Sequence, residues 1–281
     1  MRGFFITVLL CFSVSVSAQN DTLKKPVDSL SRWKLLKHDA KYTWQSVKHS
    51  VSRPAHWKGK DFKTLGFLVA GTLALSSIDE PANQFFKRQD AKAPQLVKDF
   101  GWYFGSPQNY FMVNAGLYGV GLITKSETIR KTSVLIISSS VTTGLIQSFA
   151  KNAIGRARPN SGYGAFDFKP FSPEGAFHSF PSGHTILSMT MAHSIAKQFN
   201  STWAKVATYS IGSIIPLSRL TANAHWVTDT AFSAAISIIV VDCIDRFLNN
   251  TKVYSAANRD SKKISWRLAI KPNQIGLVGN F

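Results

Sequence analysis

Three short clusters in this sequence carry side chains that could bind and cleave a phosphate ester. The first is Lys151-Asn-Ala-Ile-Gly-Arg-Ala-Arg158-Pro159, in which a lysine precedes an Arg-Pro pair by seven residues. Alone it is a basic helix end, which also complements the helix dipole. The second is Pro181-Ser182-Gly183-His184. Glycine lets a backbone approach a ligand, and serine offers a hydroxyl and an N–H, so at a helix N-terminus these donors suit a phosphate group. Alone it is a capped helix start. The third is Ser218-Arg219-Leu-Thr-Ala-Asn-Ala-His225-Trp-Val-Thr-Asp229. If a helix starts near His225, Asp229 falls on the same face four residues later. A carboxylate there accepts the imidazole Nδ1–H and leaves Nε2 free to attack.

The elements that must position these clusters are apolar. Six segments, near 64–78, 111–124, 132–150, 185–199, 204–217 and 230–248, have lengths that favour helices over strands. Running up and down, they bring the end of the third, the start of the fourth, the end of the fifth and the start of the sixth to one end of a bundle. The linkers 79–110 and 151–184 are long and rich in Pro, Gly and aromatics, and read as functional loops. Loop 79–110 would lie over the same end, with Trp102, Tyr103 and Phe104 as candidates to touch a substrate. His178 reads as a loop histidine without a role.

The three clusters together resemble the signature of the type 2 phosphatidic acid phosphatase (PAP2) and vanadium haloperoxidase superfamily: Lys-x6-Arg-Pro, Pro-Ser-Gly-His, then Ser-Arg-x5-His-x3-Asp. Every fixed position is filled, and the resemblance covers about 64–248. It implies an all-α, six-helix PAP2-like bundle and a phosphatase in which His225 is the nucleophile and forms a phosphohistidine. In that resemblance Asp229 orients His225, and His184 protonates the leaving group and then activates water. Lys151, Arg158 and Arg219, with Ser182 and the Gly183 N–H, hold the phosphoryl oxygens. The physics agrees: phosphoryl transfer needs positioning and stabilisation of spread negative charge, which cations and a helix N-terminus supply. No metal-ligand cluster stands out, and no cofactor is implied.

Outside that domain, residues 1–18 read as an export signal, with Arg2, an apolar stretch from Phe4 to Val16 and a Val16-Ser17-Ala18 cleavage site. Cleavage would leave Cys243 as the one cysteine, a small buried hydrophobe. Residues 19–63 form a basic amphipathic extension, with Trp33, Leu35, Leu36, Tyr42, Trp44 and Val47 at helical spacing, packed on the domain ahead of lipid, and interrupted at Pro54. In the basic tail 249–281, Ile264, Trp266, Leu268 and Ile270 alternate with polar residues, and a turn at Lys271–Gln274 suggests a β-hairpin.

The chain of 281 residues has 33 Lys+Arg against 15 Asp+Glu. That surplus favours anionic partners: a phosphorylated lipid or small phosphate ester, and an anionic membrane surface. Nucleic acid is excluded for want of any zinc-finger spacing, RNP-like pattern or basic-region heptad. The active-site end holds nine Lys/Arg and the opposite end twenty-three. For spanning helices this bias puts the site outside the cytoplasm, whereas an export signal would also carry the basic 19–63 segment out. A mean hydropathy of −0.02 and Ser-rich runs resolve the conflict in favour of helices that do not all span. The reading is an exported, membrane-associated phosphatase of the bacterial cell envelope with a periplasmic active site. It acts on phosphate monoesters or pyrophosphates, lipids slightly preferred: phosphatidic acid, phosphatidylglycerol phosphate, polyprenyl diphosphate or lipid A type. The alternatives are a soluble periplasmic broad-specificity acid phosphatase and a vanadium-dependent haloperoxidase.

Overall fold

A computed structural model describes residues 31–251, 253 and 254, and the strand paths of 265–271 and 274–280. The export-signal segment lies outside the described residues. Nine α-helices are present among them: α1 Arg32–Ser52, α2 Gly59–Ser76, α3 Asp79–Asp90, α4 Gln95–Gly105, α5 Pro107–Ile123, α6 Glu127–Ile154, α7 Gly183–Ala196, α8 Thr202–Thr221 and α9 Val227–Asn250. The chain then forms an antiparallel hairpin of β1 Ser265–Lys271 and β2 Gln274–Asn280, with Ser265 opposite Asn280 and Lys271 opposite Gln274. The structure is thus all-α apart from this terminal hairpin.

The six expected apolar helices are α2, α5, α6, α7, α8 and α9. The expectation of a loop over 79–110 is corrected, because that segment folds into α3 and α4. Asp79 and Glu80 open α3, and Lys87 and Arg88 close it, so both ends suit its dipole. Of segment 151–184, residues 155–182 remain a loop with two short 3₁₀ turns, Pro159–Ser161 and Gly175–Phe177.

Helix α6 starts at Ser126, whose hydroxyl accepts from the Ile129 N–H, and stops at Gly155, which takes the left-handed conformation (φ 59°). A side chain at Gly155 would collide with the Lys169 carbonyl, so glycine is required where the chain turns toward the site. Val134 and Leu135 of α6 pack on Val240, Val241, Ile244 and Leu248 of α9, with Tyr254 closing the cluster. A second cluster joins Tyr110 of α5, Ile136 of α6 and Leu187 of α7. Each such aliphatic side chain contributes about 1.5–3 kcal/mol by leaving water.

Helix α1 buries Leu35, Asp39, Ser46, Val47 and Ser50, against α5, α6 and α9. The described helical part of that segment, α1, packs on these helices, and a short 3₁₀ turn, Arg53–His56, follows at Pro54. Cys243 is half-buried rather than fully enclosed.

Helices α6 and α9 are each long and apolar enough to cross a membrane, and α2 with α3, bent by 65°, forms one further candidate. Four hydroxyl residues of α6 do not oppose this. Ser138, Ser140, Thr142 and Thr143 donate to the carbonyls of Val134, Ile136, Ser138 and Ser139, one turn back. Their hydroxyls are satisfied within the helix and present little polarity outward. Helix α2 buries none of its residues, and Phe67 is 79% and Leu73 67% exposed. At 14 residues, α7 is about 21 Å long, short of a bilayer core.

Candidate active site

One cavity of about 490 Å³ at an end of the bundle is lined by Lys151, Arg158, Gly183, His184, Arg219 and His225, together with Trp102 and Gln147. Lys151 comes from the last turn of α6, Gly183 and His184 from the first turn of α7, and Arg219 from the last turn of α8. His225 stands just ahead of α9. The up-and-down arrangement explains why clusters far apart in sequence meet here.

The three cations are fixed by neutral groups. Lys151 Nζ donates to the His178 carbonyl at 2.6 Å. Arg158 donates to the carbonyls of Gly175 (3.1 Å), Ala224 (3.0 Å) and His178 (3.1 Å), and its Nη1 stands 3.5 Å from His225 Nε2. The guanidinium of Arg219 lies over the Trp102 ring, 5.2 Å from its centroid. Among the described residues no carboxylate comes within ion-pair distance of these three. Their charge is oriented but not neutralised, so an oxyanion entering the cavity meets preorganised donors. His178, given no role by the sequence, supplies through its carbonyl the anchor that Lys151 and Arg158 share.

His225 is buried, with Nδ1 3.5 Å from Asp229 Oδ2. That is ion-pair range but too long for a good hydrogen bond, and His225 Nδ1 has no hydrogen-bond partner. The expected Nδ1–H bond to Asp229 is corrected accordingly. Helix α9 begins at Val227, not at His225, and its first turn directs the Asp229 carboxylate to other donors. Oδ2 accepts from the Trp226 N–H (2.9 Å) and the Ser179 hydroxyl (2.5 Å), and Oδ1 from Arg156 (2.8 Å). Asp229 is thus held rigidly beside the imidazole.

Burial first, then Arg219, His225, Arg158 and Lys151, push the His184 pKa down to about 4. Burial also lowers that of His225, helped by Arg158 and Lys151 and opposed by Asp229. Both imidazoles are therefore neutral near neutral pH, which leaves a lone pair for attack. A dianion among the cations would offset most of their charge and raise the His184 pKa from that value.

Ser182 behaves differently from its expected role. Its N–H donates to Ser233 Oγ at 2.8 Å, its hydroxyl accepts from Thr185 at 3.0 Å, and it is fully buried. The pocket wall is formed by Gly183. Trp102 reaches the cavity, Tyr103 is exposed, and Phe104 lines a separate apolar cavity between α4, α5, α7 and α8. Gly105 abuts the His184 ring so closely that a Cβ there would lie 2.5 Å from His184 Cδ2, so α4 fixes that imidazole.

Sequence reasoning missed Arg156 and Asp79. Arg156 lies between Lys151 and Arg158 but is buried behind the cavity. It donates to Asp229 Oδ1, to Asp79 Oδ2 at 2.6 Å and to the Ala165 carbonyl at 2.9 Å. Asp79, fully buried, also accepts from the Thr228 N–H at 3.0 Å. The one available signal was a second arginine inside the first cluster.

Comparison with known proteins shows likenesses over part of the chain. The model of the PAP2 superfamily matches residues 132–250. A lipid A 1-phosphatase of Rhizobium johnstonii is 29% identical over 208 residues, 66% of this chain and 80% of that protein. Another of Rhizobium etli is 32% identical over 118 residues, 38% of this chain and half of that protein. The crystal structure of a transmembrane PAP2-type phosphatidylglycerolphosphate phosphatase from Bacillus subtilis aligns with a TM-score of 0.47 at 17% identity, covering 66% of this chain and 96% of that one.

Proposed function

We propose, on the premise that residues 132–250 carry a PAP2-superfamily domain and that the chain is a phosphatase of that type, that its substrate is a lipid phosphate of the lipid A 1-phosphate kind. Cleavage proceeds through a phosphohistidine. His225 Nε2 attacks phosphorus while the ester P–O bond breaks, and His184 gives its proton to the departing oxygen. Water then attacks the phosphorus, His184 takes the water proton, and the P–N bond breaks to release inorganic phosphate. Lys151, Arg158, Arg219 and the Gly183 N–H hold the equatorial oxygens in both steps.

The observation that carries this reading is the set of three oriented cations with no carboxylate partner around a neutral, buried imidazole. The lipid part is supported by α6 and α9, of membrane-crossing length and composition. It is also supported by an apolar cavity of about 540 Å³ between α1, α5 and α6, which shares Phe111 with the phosphate cavity. Export to the bacterial cell envelope with a periplasmic active site belongs to the same proposal. Its support is the leader pattern from Arg2 to Ala18 and the sparser charge of the active-site end.

The test is phosphate release by purified protein in detergent. Lipid A 1-phosphate, phosphatidic acid, phosphatidylglycerol phosphate, a polyprenyl diphosphate and a small aromatic phosphate are compared with and without chelator. The expected result is chelator-resistant turnover, highest on the lipids and lost in His225→Ala. Turnover of the aromatic phosphate alone would point instead to a broad-specificity phosphatase, and activity in His225→Ala would overturn the mechanism.

A further inference from the structure

We propose that Asp79 and Arg156 are positioning residues for phosphoryl transfer, acting through Asp229 on His225. This rests on the phosphohistidine reading above. Arg156 is 4% exposed and Asp79 fully buried, yet the guanidinium serves two carboxylates: Asp229 Oδ1 at 2.8 Å and Asp79 Oδ2 at 2.6 Å. Nothing in chain packing alone calls for such an arrangement, since a buried ionic cluster gains little net stability over apolar side chains of the same volume.

Its geometry has two effects at the reacting imidazole. The first is mechanical. Asp79 Oδ1 accepts from the Thr228 N–H at 3.0 Å and Oδ2 from the Thr228 hydroxyl at 2.5 Å. The start of α3 therefore clamps the first turn of α9, the turn that carries Asp229. The second is electrostatic. A lone Arg156–Asp229 pair would be neutral and would leave nothing to balance charge on the imidazole. With Asp79 the fixed charges of the cluster amount to one negative. When Nε2 bonds to phosphorus the imidazole becomes cationic, and the buried cluster of Asp79, Arg156, Asp229 and His225 reaches neutrality. Asp79 thus supplies the charge that makes the phosphohistidine tolerable.

Other charged and titratable groups share the cavity with His225: Lys151 from α6, Arg158 from the following loop, His184 from α7 and Arg219 from α8. All four disfavour a cationic imidazole or are neutral. Within the described site only Asp229, backed by Asp79, acts in the other direction.

The test is Asp79→Asn, which keeps the shape and the acceptor for the Thr228 N–H but removes the charge. Its kcat is expected to fall about tenfold to a hundredfold, as for outer-shell partners that orient metal-bound histidines, with KM nearly unchanged. The decisive readout is the titration of His225, followed by NMR of full-length protein labelled with ¹⁵N-histidine. Its midpoint should move to lower pH in Asp79→Asn and stay near the wild-type value in Asp79→Glu, which keeps the charge. Arg156→Lys should retain more activity than Arg156→Met. A fall in kcat with an unmoved midpoint, equal shifts in both Asp79 variants, or loss of folding in both would make the cluster structural and overturn the proposal. Persistence of turnover in His225→Ala is a different failure, of the phosphohistidine reading itself.

Discussion

The two ends of the bundle use the same residue types to opposite purposes. At the end far from the cavity, buried charges among the described residues meet their complements. Asp39 accepts from Arg130 Nε at 2.8 Å, from the Tyr254 hydroxyl at 2.9 Å and from the Tyr118 hydroxyl at 3.0 Å. Lys197 reaches Asp242 at 2.6 Å and Asp245 at 3.2 Å, and Lys131 lies 3.7 Å from Asp245. At the cavity, Lys151, Arg158 and Arg219 are held by carbonyls, a hydroxyl and an aromatic face. The carboxylates nearby are spent on Arg156. Where the chain supplies the anion, the charge is structural. Where it withholds the anion, the charge is completed by a ligand.

That contrast is tested most strongly by removing one arginine from each end. Arg219→Ala should lower kcat/KM by about 10²–10³-fold, the cost of a donor aimed at developing negative charge, with thermal stability almost unchanged. Arg130→Ala should do the reverse, costing about 3–5 kcal/mol through the stranded Asp39, while kcat/KM of the folded fraction stays near wild type. Urea unfolding and lipid phosphatase assays on both variants decide it. A large stability loss in Arg219→Ala, or an activity loss in folded Arg130→Ala, would erase the distinction.

A second contrast is in pH. His184, held near 4, should gain basicity when a dianion offsets most of the charge of the cations. Binding of sulfate, a dianion throughout this range, should therefore take up protons between about pH 4 and 6.5, by as much as one per site. Calorimetry in buffers of different ionisation enthalpy measures that uptake, and His184→Asn should lose it. Stability follows the same logic. The unfolded chain protonates these histidines as pH falls below about 6.5, before the folded one does, so stability is lost from there down toward pH 4. That loss should be smaller in His184→Asn.

The smallest expected effect is at the rim. Trp102 supports Arg219 by stacking, and Trp102→Ala should cost about 1–2 kcal/mol of transition-state binding, some fivefold to thirtyfold in kcat/KM. An effect seen with lipid and small phosphates alike would mark support of Arg219. One confined to lipids would mark direct contact with the lipid.

Much of the cavity was legible because its residues sit in three fixed patterns: Lys151 with Arg158, Gly183 with His184, and Arg219 with His225 and Asp229. The bundle was legible from its apolar lengths. What escaped depended on tertiary pairing. Asp79 joins Arg156 across 77 residues, and Arg156 occupies a position its own cluster leaves open. Ser182 fits a phosphate-site pattern, but its N–H is taken by Ser233 of α9. Helices α3 and α4 escaped because Pro, Gly and aromatics in 79–110 read as loop, although Asp79 and Glu80 already marked a helix start. The apolar character of α6 was diluted by hydroxyls whose back-bonding the sequence does not display.

The central claim is that the cationic cavity serves phosphoryl transfer to His225. It is tested most directly by alkaline quenching during turnover of ³²P-labelled lipid phosphate, followed by peptide mapping. The account predicts an acid-labile, alkali-stable label on His225, absent from His225→Ala and accumulating in His184→Asn with a substrate whose leaving group needs no proton. Turnover without label, or label on Ser182, would contradict it.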